Sequence, residues 1–87
     1  NKGLAHHYLG HYDIALECFG LVLEIKPQNT TALYNKASSL IKSGKIKDGL
    51  EVLSEVIKLD FSFKSKAKFD VDFEEIKMLN EFKKITL

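Results

Sequence analysis

The sequence predicts an all-α fold, an antiparallel helix-hairpin repeat array, and three observations carry that expectation. Between Gly10 and Pro27 the apolar residues Tyr12, Ala15, Leu16, Phe19, Val22 and Leu23 fall at steps of three, one, three, three and one, the spacing of a single helix face. The series recurs 34 residues later, with Gly44 matching Gly10, Gly49 matching Ala15 and Leu53 matching Phe19. The turns between these helices are short, which forces consecutive helices to run antiparallel.

Taken in order, residues 1 to 9 read as the back half of a helix stopped by Gly10, which adopts the left-handed conformation at little cost. A second helix runs from about Tyr12 to Lys26. Asp13 in its first turn and Lys26 in its last suit the helix dipole, and Pro27 ends it. Asn29 or Thr30 caps a third helix, about Thr31 to Ser43, with Leu33, Ala37, Leu40 and Ile41 on one face. It stops at Gly44 as the first stops at Gly10. The fourth helix spans about Ile46 to Leu59.

Residues 64 to 87 break the pattern. A short helix over Lys64 to Phe69, a second capped by Asp70 or Asp72 and holding Phe73 and Ile76, and a third capped by Asn80 and holding Phe82 and Ile85 are expected there. The expected core is Leu16, Phe19, Val22, Leu23, Leu33, Ala37, Leu40, Leu50, Leu53, Val56 and Ile57, sealed at the end by Phe73, Ile76 and Phe82.

The chain has 87 residues, 45% of them hydrophobic and 29% charged, a balance that supports one small core and argues against disorder. Net charge is +1, and all 13 basic residues are lysine, so the bidentate grip of arginine on phosphate is missing. The run Lys64, Lys66, Lys68 is followed at once by Asp70, Asp72, Glu74 and Glu75, which cancel its field beyond a Debye length of about 8 Å. No nucleic-acid partner is expected. No apolar run approaches the roughly 20 residues of a membrane span, and no secretory leader opens the chain. The lone Cys18 fits a reducing, cytoplasmic setting. Because the chain opens inside a repeat and without methionine, a longer parent protein is expected.

The 34-residue step, the pattern Ala15-x-x-x-Phe19 followed by Pro27, and the paired openings Asn1-Lys2-Gly3 and Asn35-Lys36-Ala37 resemble tetratricopeptide repeats. The resemblance covers residues 1 to 63 as two repeats, the first truncated at its N-terminus, with 64 to 87 as a helical cap, one domain overall. In the second copy Gly49 and Leu53 replace Ala15 and Phe19 and keep small packed against large, whereas Phe61 stands where Pro27 recurs and loses the stop signal.

Few side chains invite a chemical reading. His7 and His11, four apart, are the candidate imidazole pair, but Gly10 interrupts the helix between them and no third ligand lies nearby. His6 is expected inside, His7 and His11 in solvent, and no metal or other cofactor is expected. Cys18 is surrounded by Asp13, Glu17 and Glu24, which disfavour a thiolate. There is no nucleophile elbow, phosphate loop or paired-cysteine motif, so the chain is not expected to be an enzyme.

The resemblance implies a protein-interaction module, an adaptor or scaffold that takes a peptide or partner helix in a concave groove. Carried over position by position, that groove presents His7, Tyr8, Thr31, Tyr34, Asn35, Ser38, Ile41 and Lys42. Asn35 matches the asparagine of the carboxylate clamp found in some members. Leu4, Ser65 and Phe69 stand where its other polar or basic residues belong, which argues against that clamp. A docking or regulatory segment of a larger enzyme is the alternative.

A second surface emerges from comparing the copies. Ile14, Cys18 and Leu21 form an apolar stripe beside Gly20, and their counterparts are Asp48, Val52 and Glu55. The stripe is expected on the outer face as a contact, and a homodimer is one form of it. Self-association through the stripe predicts that wild type sediments as a dimer and Leu21→Lys as a monomer; monomers in both samples rule it out.

Overall fold

The computed structural model describes residues 2–87, so Asn1 and its pairing with Asn35 lie outside the described residues. Six α-helices and one 3₁₀ helix follow one another, and the described residues form no strand: α1 (Lys2–Tyr8), α2 (Tyr12–Ile25), α3 (Thr30–Lys42), α4 (Ile46–Leu59), α5 (Phe63–Lys68), the 3₁₀ helix Val71–Ile76, and α6 (Asn80–Thr86). The first four pair as two hairpins, α1 with α2 and α3 with α4, and α2 packs on α3 to join them.

The two hairpin turns are copies of each other at the level of single hydrogen bonds. Gly10 and Gly44 have φ of 82° and 95°. At the first turn His11 N–H donates to the His6 carbonyl at 2.8 Å and Gly10 N–H to that of His7 at 3.1 Å. At the second, Lys45 N–H donates to Leu40 at 2.8 Å and Gly44 N–H to Ile41 at 3.1 Å. This is the Schellman arrangement, in which a left-handed residue turns the chain back and satisfies carbonyls that the helix end leaves open.

The other end of each hairpin is also matched, although its chemistry differs. Lys26 and Asp60 N–H groups close α2 and α4 on Val22 and Val56. After α2, Pro27 prevents continuation. After α4 the Asp60 carboxylate instead accepts from Ser62 N–H at 3.0 Å and Ser62 Oγ at 2.7 Å, two bonds that hold its carboxyl below the usual range. The stop expected to be lost with proline is thus replaced by a side-chain turn. Asn29 caps α3, its Oδ1 accepting from Ala32 N–H at 3.0 Å. Asn80 is not a cap: Leu79 holds that position and Asn80 begins α6.

Within each hairpin a glycine of one helix lies close against a large side chain of the other. Gly3 lies against the Phe19 ring, 2.6 Å from where a Cβ would stand, and Gly49 lies against Ile41 Cγ1 at 2.5 Å and the Ala37 carbonyl at 3.1 Å. Phe19, Leu53, Val56 and Phe73 are almost wholly buried, and Ala15, Leu33, Ala37, Leu40, Leu50, Ile57, Ile76 and Phe82 join them. Val22 is a correction. It is 40% exposed although its counterpart Val56 is fully buried, and Leu16 and Leu23 are only half-buried. The reason is position: α4 has α5 and α6 against it as well as α3, whereas α2 packs chiefly on α1 and α3.

Truncating Phe19 to alanine removes a ring from this layer and is expected to cost about 3–5 kcal/mol, most of the stability of so small a fold. Gly49→Ala is expected to cost about 1–3 kcal/mol by forcing Ile41 away from the α3–α4 contact. Urea denaturation followed by circular dichroism measures both, with the midpoint falling and the slope unchanged.

Candidate partner-binding groove

The side expected to be concave carries α1 and α3, each ended by its glycine turn. His7, Tyr8, Thr31, Tyr34, Asn35 and Ser38 line one cleft of about 130 Å³ there, together with Leu4, Lys66, Asp70 and Asp72. Ile41 and Lys42 line a second cleft, of about 210 Å³, with Ile46, Asp72 and Ile76. Asp72 borders both. The 3₁₀ helix therefore crosses the concave side and divides it.

Three anchors hold the crossing segment. Phe73 is fully buried and meets the rings of Tyr34 and Phe82 at 5.7 and 5.9 Å. The Tyr34 hydroxyl donates to Asp70 Oδ2 at 2.6 Å, while Asp70 Oδ1 accepts from Asp72 N–H at 2.9 Å and so starts the 3₁₀ turn. His7 Nε2 donates to Asp72 Oδ2 at 2.7 Å.

His7 is therefore corrected from a solvent-facing residue to a buried one, 4% exposed, and His6 is half-buried rather than inside. The reversal follows from the partners each ring finds. Asp72 accepts from Nε2, and Nδ1 lies 2.8 Å from Ser39 Oγ, so both ring nitrogens of His7 are satisfied away from water. Asp72, His7 and Ser39 share the connectivity of a hydrolytic triad. The Ser39 hydroxyl is wholly enclosed, however, so no substrate carbonyl reaches it, and the relay acts as a tie between α1, α3 and the C-terminal segment.

Tyr34 and Ser38 are buried as well, and Ile41 is 6% exposed, so half of the eight expected groove residues are buried, Tyr34 and His7 of them bonded to the C-terminal segment. Tyr8, at 75% exposed, with Thr31 and Lys42, still faces solvent. Lys66 Nζ sits over the Tyr34 ring, 5.0 Å from its centroid, and Lys64 Nζ over Phe61 at 4.8 Å. Lysines of the basic run thus face the chain's own aromatic rings. Asn35 Nδ2 is buried and has no hydrogen-bond partner among the described residues.

Sequence reasoning missed Lys66, Asp70 and Asp72 as groove residues. Their only signal was a pair of carboxylates two residues apart just before a buried phenylalanine. On the outer face, Ile14 and Leu21 are 44% and 58% exposed, Cys18 and Gly20 are half-exposed, and Ile25 extends the stripe by one turn at 81%. Among the described residues nothing beyond its chain neighbours and its own helix backbone lies within 4 Å of where a Gly20 Cβ would stand.

The tetratricopeptide repeat model matches residues 1–29 and 30–63, so its two copies coincide with the two hairpins. This chain belongs to the tetratricopeptide repeat family. It is also 29% identical over 76 residues to a TPR repeat-containing protein of Methanocaldococcus jannaschii, a match that covers 87% of this chain and 13% of that protein. The chain thus spans about an eighth of that relative's length. No solved structure matches the chain. Tetratricopeptide repeats are generally protein-interaction modules and typically not enzymes. Among the described residues no helix is long and apolar enough to cross a membrane.

Burial pushes the Tyr34 hydroxyl well above the ordinary tyrosine range, and the hydrogen bond to Asp70 and the charges of Asp70 and Asp72 push the same way. The folded chain then holds a proton that the unfolded chain releases near pH 10, so this contribution to stability is complete below about pH 10 and is lost as pH rises further. An absorbance titration should show the Tyr34 tyrosinate emerging only as the chain unfolds. In Tyr34→Phe that late step is gone.

Proposed function

We propose that the chain binds a protein partner through the cleft between α1 and α3. The observation that carries this reading is an exposed aromatic, Tyr8 at 75% exposed, beside a cleft whose inner polar groups Tyr34 and His7 are already engaged by Asp70 and Asp72. Tyr8 and Thr31 supply exposed contact area at the mouth, with Lys66 at its rim.

The size of the cleft narrows the ligand. A volume of about 130 Å³ accepts a side chain or a bend in a peptide, and the 3₁₀ helix blocks an extended segment running the length of α3. The partner therefore presents a short protruding group rather than a long strand. The same surface serves a free adaptor or a docking segment within a longer protein, and a cytoplasmic setting suits the single free thiol of Cys18. Self-association through Ile14, Cys18, Gly20 and Leu21 is a second reading, favoured by the added exposure of Ile25 on the same stripe.

Selection of peptides from a displayed library on the immobilised chain tests the groove. Peptides bound through the cleft should weaken about tenfold in Tyr8→Ala, about 1.4 kcal/mol, and should be indifferent to Leu21→Lys. A selected set that ignores both Tyr8→Ala and Thr31→Lys overturns the proposal.

A further inference from the structure

We propose that His6 and His11 form a two-imidazole site for a borderline divalent cation of the Zn²⁺ or Ni²⁺ class, preorganised by the backbone of the turn at Gly10. The Schellman arrangement brings two side chains together across a helix end, the third residue from the end and the one after the left-handed glycine, and this contact is commonly apolar. In the second repeat those positions are Leu40 and Lys45. In the first they are both histidine, and the 2.8 Å bond from His11 N–H to the His6 carbonyl fixes the two Cα atoms relative to each other.

The rings meet through their Nδ1 atoms, 3.3 Å apart. Two nitrogens bound to one zinc at about 2.0–2.1 Å with a tetrahedral angle are about 3.3–3.4 Å apart, so the pair already stands at chelating distance. The ring centroids are 5.5 Å apart and the planes are inclined by 39°. Without metal, one Nδ1 carries a proton and the other accepts it. On binding, that proton moves to Nε2 of the same ring, both Nδ1 lone pairs turn to the ion, and no proton leaves the chain.

Access and surroundings agree with an open site. His11 is exposed and His6 half-buried, so an ion arrives with water in its remaining positions. Asp13 and Lys42 line the depression beside His11 and offset each other in charge. His7 does not compete, because both of its nitrogens are engaged by Ser39 and Asp72. Among the described residues no group of three or more ligating side chains exists, so the site is not a closed structural one. The pair weighed from sequence, His7 with His11, needed one continuous helix, which Gly10 interrupts, and no metal was expected. The turn selects His6 instead.

Titrating the full chain with NiCl₂ and, separately, ZnCl₂ tests the site by calorimetry and by the imidazole resonances in NMR. One ion per chain should bind, shifting His6 and His11 while His7 stays in place. His6→Ala and His11→Ala should each weaken binding about tenfold or more, because a chelate fails when either ligand is lost. Circular dichroism shows whether these variants keep the fold, which surface positions should allow. A loss below about tenfold in either variant, or movement of His7 in place of His6, overturns the proposal.

Discussion

A left-handed glycine at the end of each first helix governs this structure. At Gly10 and Gly44 the positive φ lets two backbone bonds close on the preceding helix, and the chain returns antiparallel with the next helix already in phase. Because the turns match bond for bond, α1 and α3 are presented on the same side and α2 and α4 on the other. The concave side, the position of His7 and the meeting of His6 with His11 all follow from that constraint.

The C-terminal segment uses the concave side in a way the repeats do not dictate. Its energy comes mainly from Phe73 and Ile76, both buried, and burying such side chains is worth about 1.5–3 kcal/mol each. Asp70 and Asp72 set the register. Each gives an oxygen to a groove donor, Tyr34 or His7, so the segment covers polar groups that water otherwise satisfies. The result covers part of α3 and leaves a small cleft bordered by Tyr8, Thr31 and Lys66.

Asymmetry between the two hairpins has a comparable origin. α4 is covered by α5 and α6 and has a fully buried Val56, whereas Val22 at the matching position in α2 stays partly wet beside Ile14, Leu21 and Ile25. The same valine thus lies in an interior in one repeat and at a surface in the other, depending on what stands next to it.

The sequence by itself determined the helices, the 34-residue repeat and most of the core, because helix periodicity and glycine stops act within one hairpin or between neighbours. Tyr8, Thr31 and Asn35, which the family resemblance assigned to a groove, border one cleft together. Only the tertiary structure decided the exchange of roles between His6 and His7, the covering of Tyr34 and Ser38, and the exposure of Val22. The physical reason is distance along the chain: His7 meets Ser39 and Asp72 across 32 and 65 residues, and no local pattern records which carboxylate will reach a given imidazole.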